Sequence, residues 1–204
     1  MVRGEGQVKL KTIYIERSSG QGRDGDWVEK LDLDGVERIV VGTGPGSFAG
    51  IRSAIAFAQG YALGRSCEVL GLPSPCAVAA RFFEREKTCG RLAVVGDARC
   101  GKLWIAVFDG FGWEKDVFQV DRDDIVATID SLPGGPCRIV TVDEQRIGGF
   151  LGEVFGGRLV DGRLPQYAGG QTPDAEGLRM FAERNPSAPR PEPLPIYLNP
   201  AVRG

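Results

Sequence analysis

Three apolar residues, Ile39, Val40 and Val41, run into Gly42-Thr43-Gly44-Pro45-Gly46-Ser47, and this turn opens onto a segment ending at Gly64 that is built almost wholly of small and apolar side chains. The pattern predicts a strand, a tight loop and a helix, in that order. Gly42, Gly44, Gly46 and Gly50 free the backbone for unusual φ values and for close approach by another backbone or a phosphate, and Ser47 is suited to cap the helix. Without a Gly-Lys-Ser/Thr ending the loop is not a Walker phosphate loop. On residue chemistry alone a structural turn and a ligand loop stand level.

The rest of the first half continues the alternation. Val8 to Glu16 reads as a strand, Ser18 to Asp26 as a polar glycine-rich loop and Trp27 to Leu33 as a short helix or turn. After the glycine loop and its helix come a strand at Glu68 to Leu70, a turn at Pro73-Ser74-Pro75 and a helix from Cys76 to Lys87. Strand and helix in turn define an α/β protein. Beyond Gly90, Leu92 to Gly96 and Leu103 to Asp109 flank Arg99-Cys100-Gly101-Lys102 and read as a hairpin that begins a second lobe. The expected division is 1–88 and 89–204. In the second part, Val120 to Ser131 is expected to carry a helix, Arg138 to Val142 a strand, and Thr172 to Asn185 a helix opened by Thr-Pro-Asp, followed by a proline-rich connector from Pro186 to Pro195.

Composition removes several kinds of chemistry. The 204 residues include no histidine, which excludes histidine general bases, histidine metal ligands and Ser-His or Cys-His nucleophile pairs. No metal site and no cofactor is expected. Twenty-five basic residues against 27 acidic ones leave a net charge of −2, so no global field draws nucleic acid to the surface. Five cysteines, Cys67, Cys76, Cys89, Cys100 and Cys137, are odd in number and widely spaced, which argues against a disulfide framework or a zinc knuckle. No apolar run approaches the ~20 residues that span a bilayer, and Met1 to Gly6 has no signal-peptide core, so a cytoplasmic protein is expected.

Two places invite a functional reading. The helix after the glycine loop is apolar around nearly its full circumference, with Arg52, Ser53 and Gln59 the polar exceptions before Gly60. Such a helix is expected to be buried on more than one side, against the helix from Cys76 or against another protein chain. Ile55, Phe57, Ala58 and Tyr61 are the candidate contacts. Arg52 opposes the helix dipole at the first turn and calls for a compensating anion, a carboxylate or a phosphate. Asp97 ends a strand and is placed to coordinate Mg²⁺ or, on the structural alternative, to cap the turn or pair with Arg99. Asp143, Glu144 and the Asp121 to Asp124 cluster read as solvated charge.

The string Gly44-Pro45-Gly46-Ser47-Phe48-Ala49-Gly50-Ile51-Arg52 resembles the Gly-Pro-Gly-Ser-Phe-Thr-Gly-Leu-Arg signature of the TsaB (YeaZ) family, with alanine and isoleucine in place of threonine and leucine. Asp97-Ala98-Arg99 and Pro195-Ile196-Tyr197-Leu198 resemble two later motifs of that family, in the same order. The resemblance implies a two-lobed actin-like, sugar-kinase-like ATPase superfold with ribonuclease H-like lobes. It implies a non-catalytic scaffold that pairs with a TsaD-type catalytic subunit and further proteins to make N6-threonylcarbamoyladenosine on tRNA, touching tRNA only through the complex. It also implies that the glycine-loop helix forms the contact with TsaD and a competing homodimer. TsaD-like relatives hold a metal through a His-x-x-x-His motif, which this chain lacks, and a peptidase reading loses its chemistry for the same reason. The family's first strand ends in Asp-Thr-Ser and continues through a hairpin; no such string precedes Val41, so that hairpin is expected to be reduced or missing. Two alternatives stay open: a divergent homodimer of this fold without the tRNA role, and a nucleotide-binding phosphotransferase of the wider superfold.

Overall fold

A computed structural model describes residues 10–20, 27–86, 90–110, 112–132, 137–156 and 166–198. Cys89 and the side chain of Cys137 lie outside the described parts. Two sheets organise the chain. The first holds β1 (Thr12–Ile15), β2 (Arg38–Gly42), β3 (Glu68–Leu72) and β9 (Arg190–Pro191) in that spatial order. Its first three strands are parallel and β9 runs antiparallel to β3. The second sheet is ordered β6 (Gly112–Asp121), β5 (Lys102–Asp109), β4 (Arg91–Arg99), β7 (Cys137–Thr141), β8 (Gln166–Gly170).

Parallel strands need crossovers, and α1 (Phe48–Ala62) supplies the one between β2 and β3. The continuous run Ile39-Val40-Val41 is explained by helices on both faces of the sheet. Ile39 and Val41 pack with Ile51, Ala54, Ile55 and Ala58 of α1. Val40 faces the other way, toward α2 (Pro75–Arg85) and α5 (Ala175–Arg184). That helix pair forms a middle layer, because its core also includes Leu92, Val94, Trp104, Ala106 and Phe108 from the second sheet. The far face of the second sheet, with Val95, Leu103 and Ile105, is closed by α3 (Ile125–Asp130) and α4 (Gly149–Phe155).

The chain passes to the second sheet at β4 and returns to the first with α5 and β9. Two devices hold α5 on α2. Gly177 lies against the carbonyl of Ala77, where any Cβ would collide with backbone, so the two helices approach closely. Asp174 caps α5 by accepting from the Gly177 N–H (2.6 Å) and also receives the Arg81 guanidinium through contacts of 2.8 to 3.1 Å.

Several segments differ from the sequence reading. β6 and β8 are strands where none was expected: pairing irregularities at Ile105/Val107 break the alternation that β6 would otherwise show, and β8 is a short Gln-Tyr-Ala-Gly-Gly run. Glu144–Gly148 forms a π-helical turn leading into α4, another helix with no sequence signal of its own. Within the described residues, the chain runs from β1 through turns into β2 with no hairpin strand between them. No helix among the described residues is long and apolar enough to cross a membrane.

Candidate functional site

The glycine loop is a packing hub. Gly44 takes φ +90°, a conformation that a side chain there would oppose, and its peptide bond to Pro45 is cis. What approaches the loop is the protein's own backbone. A Cβ at Gly46 would strike the Ser18 main chain, one at Gly50 would strike the Arg17 carbonyl, and Ser47 N–H donates to the Ser18 carbonyl at 2.6 Å. On the α2 side, Gly44 N–H donates to Ser74 Oγ (3.0 Å) and Ser74 N–H returns to the Gly44 carbonyl (2.9 Å). Ser47 Oγ accepts from Gly50 N–H (3.3 Å), the helix cap its residue type predicts. The ends of β1, β2 and α2 are thereby tied to the start of α1.

Glu16 sits at the centre of this hub, just beyond β1 and over Gly42, whose missing side chain leaves room for the carboxyl group. It accepts from Ser18 N–H at 2.6 Å. Burial pushes its carboxyl above the ordinary carboxylate range, and hydrogen bonds from Ser18, Ser74 and Arg17 pull against that shift.

Helix α1 carries one buried stripe, not several. Ile55 and Ala58, expected as partner contacts, face the first sheet and are buried in its core. Phe57 and Tyr61 are half-buried under the chain's own 27–33 segment. Trp27 meets Phe57 edge-on (5.2 Å between ring centroids), Phe57 stacks with Tyr61 (6.3 Å), and Tyr61 Oη donates to the Leu33 carbonyl (2.7 Å). The expectation that Ile55 and Ala58 meet a partner therefore needs correction, while Phe57 and Tyr61 pack on this core and stay partly exposed. The covering segment has too little periodicity to mark itself in the sequence as a partner for α1. The free face is instead Arg52, Ser53, Ala56, Gln59 and Gly60, bounded by exposed Phe48 and Leu63.

Between the sheets lies a cleft of about 890 Å³ whose walls include Ser18, Ser47 and Phe48 on one side and Asp97, Arg99, Asp143 and Arg146 on the other. Asp97 serves its own turn: Oδ1 accepts from Arg99 N–H (2.8 Å) and Oδ2 meets the Arg99 guanidinium (3.1 Å), with Arg146 at 3.5 Å. Arg99 and Cys100 both take positive φ at the tip of this β4–β5 hairpin, and Cys100 is exposed there. The reading of Asp143 as solvated charge is corrected here, whereas Glu144 is exposed as that reading expects. Asp143 accepts from Asp97 N–H (2.9 Å), and burial pushes its carboxyl up while that hydrogen bond opposes the change. Glu144 accepts from Tyr167 Oη and lies where Cβ atoms at Gly148 and Gly170 would stand; burial, then Glu144, raises the phenol well above its usual range. Among the described residues no group of three His, Cys, Asp or Glu side chains is placed to hold a metal ion.

Two sheets joined by a shared helical layer, with a cleft between them and a glycine loop at its rim, define a two-lobed protein of the actin-like superfold. Its fold matches two solved structures from Pseudomonas aeruginosa, one described as YeaZ (TM-score 0.60) and one as an uncharacterised protein with similarity to peptidase YeaZ (TM-score 0.61). Each is 21% identical, with 84% of this chain and 78% of the other covered. The family described as TsaD, tRNA N6-adenosine threonylcarbamoyltransferase, matches residues 29–144. Two proteins named tRNA threonylcarbamoyladenosine biosynthesis protein TsaB, from Escherichia coli and Haemophilus influenzae, are each 33% identical over 76 residues, which is 37% of this chain. The matched segment spans 32% of the length of either relative. The chain belongs to the TsaD family, among its TsaB (YeaZ) members.

Proposed function

We propose that this protein is a non-catalytic scaffold subunit that pairs with a TsaD-type subunit in N6-threonylcarbamoyladenosine modification of tRNA, acting in the cytoplasm and reaching tRNA only through the complex. The observation that carries the reading is the outward stripe of α1. Phe48, Arg52, Ala56, Gly60 and Leu63 recur at spacings of four or three residues and so share one face of the helix. The middle of the stripe is small and its ends are large, so a partner helix can approach closely at Ala56 and Gly60 while Phe48 and Leu63 flank it. Partner contact is thus proposed for this face and not for Ile55, Phe57, Ala58 and Tyr61.

Support for a non-catalytic role comes from composition and from the hub. The chain has no histidine to serve as base or metal ligand. Gly46, Ser47 and Gly50 of the loop pack on Arg17 and Ser18 of the same chain, so these motif residues act on structure. The domain division at 88/89 is proposed for the sheets, with α5 and β9 lending their faces back to the first. The test is calorimetric titration with the TsaD-type protein of the same genome, followed by assay of modified adenosine in tRNA with and without this chain. Binding together with a product that depends on the chain supports the proposal; no binding, or product in the chain's absence, refutes it.

A further inference from the structure

At one end of the α1 stripe the surface gains a feature that bare helix packing does not explain. Phe48 and Tyr197 are 58% and 56% exposed, yet their rings touch, with centroids 5.7 Å apart. The Arg52 guanidinium lies 4.9 Å from the centre of the Phe48 ring. Among the described residues the Arg52 guanidinium forms no ion pair and no hydrogen bond beside this ring contact. No acidic residue stands in the first turn of α1 to offset a cation that the helix dipole disfavours there. Two exposed aromatic rings and a free guanidinium match the composition of binding hot spots, which are enriched in Tyr and Arg and become strong when water is excluded around them.

We infer that the shelf of Phe48, Arg52 and Tyr197 receives a carboxylate side chain of the partner protein, with the two rings covering the ion pair against water. This extends the partner face from α1 to the C-terminal Tyr197 segment, and it rests on the scaffold reading above. Charge decides for a protein carboxylate over an RNA phosphate. One cation suffices for one carboxylate, whereas a polyanionic backbone is held by several; the nearby cleft wall presents Asp97, Asp143 and Glu144, and its cations Arg99 and Arg146 are already engaged by Asp97. The chain's net charge of −2 points the same way.

The experiment is calorimetric titration of the full chain with the TsaD-type partner at two salt concentrations, with thermal melts confirming that each variant folds. Arg52→Glu should weaken binding at least tenfold and Arg52→Lys should restore most of it. The parent's affinity should fall as salt rises, and Arg52→Gln should flatten that dependence. Phe48→Ala and Tyr197→Ala should weaken binding about tenfold while keeping the parent's salt slope. Should Phe48→Ala fail to fold, the three Arg52 variants decide alone, since that side chain is exposed and lies over the Phe48 ring. Arg52→Glu binding like the parent overturns the inference while leaving the scaffold reading intact. Loss of tRNA retention by the assembled complex with unchanged protein affinity also overturns it, in favour of a phosphate ligand. A parent that does not bind at all removes the scaffold reading and this inference together.

Discussion

Ala56 and Ala58 are two residues apart on α1, and the structure assigns them opposite fates on substitution by glutamate. Ala58 is fully buried beside Ile39, Val41 and Ile55. Keeping a glutamic acid neutral there at pH 7, from an ordinary pKa near 4.3, costs about 3–4 kcal/mol at ~1.4 kcal/mol per unit. Overpacking the site adds about 1–3 kcal/mol. The sum, about 4–7 kcal/mol, is comparable with the whole stability of a typical domain, about 5–15 kcal/mol. Ala56 is exposed, and Ala56→Glu should change stability by no more than about 0.5 kcal/mol. Urea titrations followed by circular dichroism at pH 7 measure both. The expected outcome is Ala58→Glu unfolded or nearly so and Ala56→Glu folded like the parent but unable to bind the partner. An Ala58→Glu protein with the parent's midpoint would refute the assignment of the buried face, and an Ala56→Glu protein with undiminished binding would refute the assignment of the free face.

Four further outcomes follow from the same geometry. Gly46→Val and Gly50→Val should lower the melting temperature steeply, because each drives a side chain into the Arg17–Ser18 backbone, whereas Ser47→Ala should cost only about 0.5–2 kcal/mol as a lost cap. The Glu16 carboxyl has its folded pKa raised by burial, so the fold holds that proton more tightly than the unfolded chain, and stability should fall as pH rises from the ordinary carboxylate value through the raised folded one; Glu16→Gln should flatten the loss in melts taken across that window. Asp174→Ala removes both the α5 cap and the Arg81 partner and should cost about 1–2 kcal/mol by urea titration, mostly from the cap, since the ion pair is half-exposed. Tyr61→Phe keeps the ring stack but loses the bond to the Leu33 carbonyl, and hydrogen exchange should show faster opening confined to the 27–36 segment.

The elements with strong periodicity or punctuation were legible in the sequence. Ile39-Val40-Val41 followed by glycines marked β2 and its loop, Thr-Pro-Asp marked the start of α5, and the apolar runs on either side of Arg99-Cys100-Gly101-Lys102 marked the β4–β5 hairpin. Partner choice within the fold was not legible. An all-round apolar α1 suggested several buried sides, but alanine and glycine count as apolar while tolerating water, and Ala56 and Gly60 ended on the surface. Phe57 and Tyr61 went to Trp27 and Leu33, a pairing fixed by loop geometry across about thirty residues. Glu16 escaped notice because a carboxylate after a strand ordinarily faces solvent; only the side-chain-free space above Gly42 makes it a buried group. The partners of Asp143 and Glu144 were hidden for a similar reason, since Asp97 and Tyr167 lie on other strands.

The central claim is that this chain acts by holding a partner and not by chemistry of its own. Its most direct test is a reconstitution in which the TsaD-type subunit and the remaining proteins of the modification reaction are mixed with unmodified tRNA and the small-molecule substrates of that reaction, and threonylcarbamoyladenosine is measured by mass spectrometry. The account predicts product with the parent chain, none when it is omitted, and none with folded Ala56→Glu. Product formed without the chain, or formed equally well with Ala56→Glu, would contradict it.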